Sequence, residues 1–364
     1  MLEAPLAPYL LWAKTRLPAA IDLAGSNLLH CTFDDLPGAR DALELWVPND
    51  NGYRPLLDGL AEHYGIAGDR IVTANGCSGA NFVVVAALVA PGDDVLVERP
   101  GYDPLIGACL LMGARLNRFD RRFEDGYRIN IDDVRRQMTP RTRLIVVTTP
   151  HNPSGVGLDR ASLVALGQLA AEAGAHVLVD EVYLDASAAV RGEHGPAASA
   201  AQLDGPFVVT NSLTKSYGLA GLRLGWAIAP APIAARLQRT RDVIDNAGNA
   251  PSDRLSALAI SMRAKLAERA RSLLATNIER ARRFLAAQPR LEVAEPPGAS
   301  VTFPRLRDAA DSESFVQTLL DRHGVAVAPG RFFESPAHFR ISLAGRPEVL
   351  AKGLEEIAKA LEKA

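Results

Sequence analysis

From about Arg70 to Ile228 the chain alternates short runs rich in Val, Ile and Leu with stretches whose apolar residues recur at helical spacing. The runs are 'RIVTAN', 'DDVLVERP', 'TRLIVVTTP', 'AHVLVDEVY', 'PFVVTNS' and 'LGWAIA', and they are apolar throughout instead of at every second residue. A strand that is apolar on both sides leaves no face for water. These runs therefore predict a mostly parallel central sheet with helices on both faces, an α/β architecture. The intervening 'DRASLVALGQLAAEAG' has the helical repeat and a glycine stop at Gly174.

The pattern changes after Pro251. A long helical stretch with a charged face, 'DRLSALAISMRAKLAERARSLLATNIERARRFLAAQ', is expected to bend or break. After it come 'RLEVAE', 'ASVTFPRL', a helix at about Ser312 to His323, 'GVAVAPG', 'HFRISLA' and a last helix from Pro347, which together read as α+β. A chain of 364 residues accommodates both parts. We expect a large α/β domain at 45–250 and a smaller α+β domain built from 1–44 and 251–364.

A formal net charge of -2 leaves no electrostatic footprint for nucleic acid or an anionic membrane. The expected partners are small molecules or a second copy of the chain. Cys31, Cys77 and Cys109 have no metal-ligand spacing, which predicts no metal site and fits a reducing compartment. At the N-terminus Glu3 stands where a signal peptide has basic residues, and Pro5 and Pro8 interrupt the apolar run. The longest apolar run, Phe82 to Pro91, is far shorter than the roughly 20 residues of a membrane span and predicts a buried helix. Both features point to the cytoplasm.

The chain has six lysines against 34 arginines, and Lys215 is the only lysine between Lys14 and Lys265. As surface charges the two are interchangeable. Where an amine must shed its proton and attack a carbonyl they are not, because guanidinium stays protonated. Lys215 is thus a candidate imine-forming lysine. Ser212 and Thr214 precede it and Arg223 follows, so two hydroxyls and a guanidinium make a phosphate site beside an aldehyde site. In 'NGCSGANFVVVAALV', Ser78, Gly79 and Ala80 lie between a strand and the start of a helix, where N–H groups and the dipole hold a phosphate. A Ser-Gly helix start is equally an ordinary cap.

'VLVDEVYLD' ends a strand with Asp180, which could hold the protonated nitrogen of a pyridine cofactor bearing that aldehyde and phosphate or could equally cap the turn after the strand, and with Tyr183, whose hydroxyl could meet the cofactor's phenolic oxygen. 'TTPHNPSG' supplies Asn152 for the same oxygen, with His151 beside it reading as a turn residue, and Tyr102 in 'ERPGYDP' can stack on a flat ring. Arg340 in the strand-like 'HFRISLA' has the planar fork that could grip a carboxylate at two points, although a strand arginine is ordinarily a surface residue.

Together these segments resemble the fold type I pyridoxal-phosphate enzymes, specifically the class I/II aminotransferase family. 'NSLTKSYGLAGLRLGW' resembles the family's S-x-[ST]-K-x7-R signature, 'HNPSG' its N-P-[ST]-G turn, 'DEVY' its D-x-x-Y strand end and 'FRISL' its carboxylate-binding strand. The resemblance implies a PLP-dependent transferase fold and an enzyme moving an amino group between an L-amino acid and a 2-oxo acid through a Lys215 internal aldimine. It implies that Lys215 shuttles the proton, that Asp180 pairs with the pyridine nitrogen and that Tyr183 and Asn152 meet the phenolic oxygen. Tyr102 would stack on the ring, while Ser78, Gly79, Ala80, Ser212, Thr214 and Arg223 would line the phosphate. Arg340, with Asn152, would face the substrate. It also implies a homodimer with shared active sites.

Trp46 stands about where many members carry a tyrosine that reaches the partner's phosphate. In the loop 'DNAGNAPSD' after the lysine segment, Asn246 and Asn249 stand where dicarboxylate-specific members carry an arginine, which argues against aspartate or glutamate as dedicated donors, with Arg254 nearby as a cation that could still serve them. The same cofactor site supports lyase, decarboxylase or cyclase chemistry, since the scissile bond is chosen by pocket shape. A ligand-sensing regulator on this fold would need a DNA-binding domain for which the chain has no room.

Overall fold

The computed structural model describes residues 7–193, 196 and 198–363, so Glu3 and Pro5 lie outside the described residues. Seven strands form the central sheet: β1 (Ile71–Asn75), β2 (Asp94–Arg99), β3 (Arg115–Asp120), β4 (Thr142–Thr148), β5 (His176–Asp180), β6 (Phe207–Ser212) and β7 (Leu224–Ile228). Their order is β1-β7-β6-β5-β4-β2-β3, and only β7 runs antiparallel to its neighbours. Six of the seven are the apolar runs of the sequence. The seventh, β3, reads 'RLNRFD' and buries only Phe119 along its length. As the edge strand it is covered too little to need a continuous apolar run.

Residues of β4, β5 and β6 alternate between two cores. Ile145, Val147, Val177, Val179 and Val209 pack on one face with the helices Arg54–Tyr64 and Arg160–Glu172. Leu144, Val146, Leu178 and Val208 pack on the other with the helices Gly76–Leu88 and Ala231–Ile244. All nine are at most 1% exposed, so neither face is wet, and each such side chain contributes roughly 1.5–3 kcal/mol of burial.

The long C-terminal helical stretch breaks at Met262 into Ala250–Ser261 and Arg263–Ala286. Ala259 and Ile260 of the first piece join the sheet's core, whereas Leu274, Ile278 and Leu285 of the second form another core with Ile341, Leu354 and Ile357. Ile21, Leu23 and Leu28 complete that second core, and Ile21–Asp22 pairs in parallel with Val325–Ala326. The chain's beginning is thereby tied to its end, and the segment that follows, Ala24–Asn27, is held over the strand ends.

A buried ion pair fixes one of those ends. Arg121, 1% exposed, donates from Nη1 to Oε2 of Glu98 at 2.9 Å and from Nε to the Tyr127 carbonyl at 2.7 Å. The other Glu98 oxygen accepts the N–H and hydroxyl of Thr148 at 2.7 and 2.6 Å, and Thr148 Oγ1 accepts the N–H of Asn152 at 3.0 Å. Removing one member strands a charge in the interior. Arg121→Met is therefore expected to cost about 3–5 kcal/mol in urea unfolding, and Glu98→Gln combined with it to cost less than the two single losses added. A loss within about 0.5 kcal/mol of zero for Arg121→Met would contradict this role.

Candidate active site

The carboxyl ends of β1, β4, β5 and β6 open on one side of the sheet, where ligands bind in open parallel α/β folds. β6 ends at Ser212, whose Oγ accepts the Thr214 N–H at 3.3 Å and caps the short helix Leu213–Tyr217. That turn presents Lys215. Its Nζ donates to Oδ1 of Asn27 at 2.6 Å and to Oγ of Ser26 at 2.9 Å. The same Ser26 oxygen accepts the Tyr183 hydroxyl at 2.9 Å. Burial and then the positive charge of Arg340 pull the Lys215 amine down to about 7, against the opposing pull of Asp180.

Asp180 is 5% exposed at the end of β5. It accepts from Asn81 Nδ2 at 2.8 Å, the Val182 N–H at 3.1 Å and the Cys77 thiol at 3.5 Å. Burial raises its pKa, and the Asn81 hydrogen bond leads the interactions that restrain the rise. Glu181 turns the opposite way, accepting from Ser199 Oγ at 2.6 Å and the Ala200 N–H at 2.7 Å. Of the two adjacent acids only Asp180 faces Lys215, as the alternation of a strand requires.

Arg340, fully buried, donates from Nη1 to Asn152 Oδ1 at 2.7 Å and from Nη2 to the Tyr9 hydroxyl at 2.7 Å and the Ala24 carbonyl at 2.8 Å. Among the described residues its Nε has no partner. Tyr9 comes from the helix Pro8–Thr15, whose first N–H is held by Asp103 Oδ2 at 2.7 Å, and its ring lies 6.3 Å from that of Tyr102. His151 is a hydrogen-bonded turn residue, with Nδ1 2.7 Å from Ser154 Oγ and Nε2 3.0 Å from the Pro100 carbonyl.

The helix Gly76–Leu88 begins two residues before Ser78, so Ser78 and Gly79 lie in its first turn and Ala80 opens the second, instead of all three preceding the helix. No side chain caps that first turn, so those of its N–H groups that follow Gly76 and lack an intrahelical partner are available to an anion. Arg223 lies across it: its carbonyl accepts the Gly76 N–H at 2.7 Å. A Cβ on Gly76 would sit 2.3 Å from the Arg223 guanidinium, and one on Gly225 would sit 2.2 Å from the Gly76 carbonyl carbon. Only glycines permit this approach. The electrostatic neighbours of Lys215 include Arg340, Asp180, Cys77 and Arg223, so the lysine, acid and both arginines act on one another.

Tyr9, Ser26, Asn27 and Asn81 were not among the residues expected from sequence. The first three lie in an N-terminal stretch without periodicity and reach the site only through tertiary contacts. Asn81 carried a legible signal, a lone amide in the otherwise apolar 'ANFVVVAALV'.

An uncapped helix start facing an arginine suits a phosphate, a lysine near 7 suits an aldehyde, and a buried acid suits a pyridinium. That combination, at the carboxyl ends of a mostly parallel sheet, fits pyridoxal phosphate and defines a fold type I enzyme. The chain belongs to the family described as aminotransferase class I and II, whose sequence model matches residues 48–357. It is 32% identical to capreomycidine synthase of Streptomyces vinaceus over 98% of this chain and 94% of that protein. It is also 32% identical to arginine–pyruvate transaminase of Pseudomonas aeruginosa, over 84% of this chain and 80% of that one. A PLP-dependent aminotransferase from Streptococcus suis has the same fold, with a TM-score of 0.88 at 27% identity over 100% of this chain and 99% of its own. The protein is a pyridoxal-phosphate-dependent aminotransferase.

With burial and Arg340 pulling the Lys215 amine down to about 7, its neutral fraction should fall about tenfold per pH unit below that value and be nearly complete well above it. Capture of pyridoxal phosphate by the apoprotein, followed by stopped-flow absorbance, should rise with pH to about 7 and then level off. A rate still climbing toward pH 10 would show an ordinary lysine.

Proposed function

We propose that Lys215 holds pyridoxal phosphate covalently and carries the proton between the substrate's α-carbon and the cofactor's C4′. The observation that supports this most is the Lys215 amine held between Ser26 and Asn27 at the end of β6, with Arg340 and Asp180 acting on it electrostatically. Once bound, the cofactor supplies an electron-withdrawing ring that stabilises negative charge at the α-carbon. Asp180 keeps the ring nitrogen protonated, Tyr183 and Asn152 donate to the phenolic oxygen, and Tyr102 stacks on the ring. The helix start at Ser78, Gly79 and Ala80 holds the phosphate with Ser212, Thr214 and Arg223. Arg340, with an unpaired buried Nε, takes the α-carboxylate.

The reading extends to a cytoplasmic homodimer with shared sites. The three cysteines are free thiols, in keeping with a reducing compartment. Among the described residues no helix is long and apolar enough to cross a membrane. Leu45, Trp46 and Val243 are 94%, 76% and 87% exposed, an apolar surface suited to a second copy. The strap carrying Trp46 is fastened by Arg254 Nε to the Ala42 carbonyl at 2.8 Å and by Asn49 Nδ2 to the Gly248 carbonyl at 2.8 Å. It is thereby held at the loop that shares a cavity with Arg223. In this reading the chain divides into 45–250 and 1–44 with 251–364, Ala259 and Ile260 crossing to the sheet's core.

Asn249 accepts the Ser252 N–H at 3.1 Å as a helix cap, which commits its amide oxygen to the backbone, and nearby Arg254 donates its Nε to the Ala42 carbonyl at 2.8 Å. We therefore favour donors other than aspartate and glutamate, with arginine the first to test because a relative is named for it. The relative named as a synthase keeps the lyase, decarboxylase or cyclase alternative in view. The test mixes cofactor-loaded protein with single L-amino acids and no oxo acid. One equivalent of oxo acid should form as the bound aldehyde's absorbance disappears, and Lys215→Arg should slow this by about 10²–10⁴-fold. Persistence of that absorbance while ammonia, carbon dioxide or a cyclised product accumulates would select the alternative.

A further inference from the structure

Asp180 lies opposite Thr210 in the parallel pairing of β5 and β6. Between them, from the helix Gly76–Leu88, comes Asn81, which is 5% exposed. Its Nδ2 donates to Asp180 Oδ2 at 2.8 Å and its Oδ1 accepts the Thr210 hydroxyl at 2.6 Å. A carboxylate offers acceptors only, so the amide must turn its NH₂ toward Asp180. That orientation points the amide oxygen at Thr210, whose hydroxyl is then the donor. Thr210, fully buried, therefore locks the amide against flipping.

An unpartnered polar group in an apolar helix is costly, yet this one is satisfied at both ends through a residue of the site. Asp180 Oδ1 takes the Val182 N–H and the Cys77 thiol, while among the described residues only Asn81 serves Oδ2. The groups acting electrostatically on Lys215 beside it are Arg340, Asp180, Cys77 and Arg223, and none of these is Asn81 or Thr210. A neutral pair is thus available to set the aim and ionisation of the acid without adding charge to the site.

We propose that Asn81, locked by Thr210, is a positioning residue that holds Asp180 ionised and aimed at the cofactor's ring nitrogen. This rests on the reading that Asp180 meets that nitrogen. It predicts a role for the amide that goes beyond packing: a protonated ring nitrogen lowers the pKa at which the bound cofactor's absorbance titrates, so loosening Asp180 raises that pKa.

The test compares wild type, Asn81→Leu, Thr210→Val, Thr210→Ser and Asp180→Asn, each as apoprotein titrated with pyridoxal phosphate and each then titrated with pH by absorbance. A hydrogen bond to a charged group is worth about 1.5–3 kcal/mol, so Asn81→Leu should weaken cofactor binding about 10–100-fold and raise the spectroscopic pKa. Thr210→Val should move both in the same direction by less, and Thr210→Ser should restore wild-type behaviour. If Asn81→Leu does not fold, Thr210→Val against Thr210→Ser carries the comparison. A wild-type spectroscopic pKa in Asn81→Leu or Thr210→Val, while Asp180→Asn shifts it, would overturn the role of Asn81 alone. An unshifted Asp180→Asn would instead overturn the reading of Asp180.

Discussion

The site depends on an amine kept where its charged form is disfavoured. Lys215 leaves a capped turn at the end of a buried strand, surrounded by protein and facing Arg340, whose charge repels its own. Desolvation and repulsion both favour the neutral base, and Asp180 opposes them without reversing the balance. An arginine at this position would remain charged. The chain uses arginine for most other cations and keeps a lysine here.

That arrangement needs several strand ends held in register. The Glu98–Arg121 pair fixes Thr148, and Thr148 fixes the turn that presents Asn152. Asn152 in turn receives Arg340 from the C-terminal part of the chain. The N-terminal segment closes the arrangement by pairing with Val325–Ala326 and delivering Ser26 and Asn27 to the lysine. Residues near positions 26, 150, 215 and 340 thus meet at the carboxyl ends of the mostly parallel sheet, where Arg340, on a strand (Phe339–Ser342) that pairs antiparallel with Val301–Thr302 and Ala328–Pro329, reaches Asn152.

The sheet was legible because parallel strands buried on both faces need continuous apolar runs, a pattern that few loops imitate. β3 escaped because an edge strand tolerates Arg115, Asn117 and Arg118. The strand-end residues Asp180, Asn152 and Lys215 were legible because each follows a run whose end is marked. Ser26, Asn27 and Tyr9 were not, since their positions follow from tertiary packing and no local pattern encodes it. Ser78 shows the limit for element boundaries: its residue type was readable, but its place within the first turn depends on the contact of Gly76 with Gly225 and Arg223.

Lys215, and no other amine of the chain, is expected to capture the cofactor. The most direct measurement is to load the protein with pyridoxal phosphate, reduce it with borohydride and locate the added phosphopyridoxyl mass by peptide mapping. One label per chain on the peptide containing Lys215 is the predicted result. A label distributed over Lys14, Lys265, Lys352, Lys359 and Lys363, or confined to one of them, would contradict it.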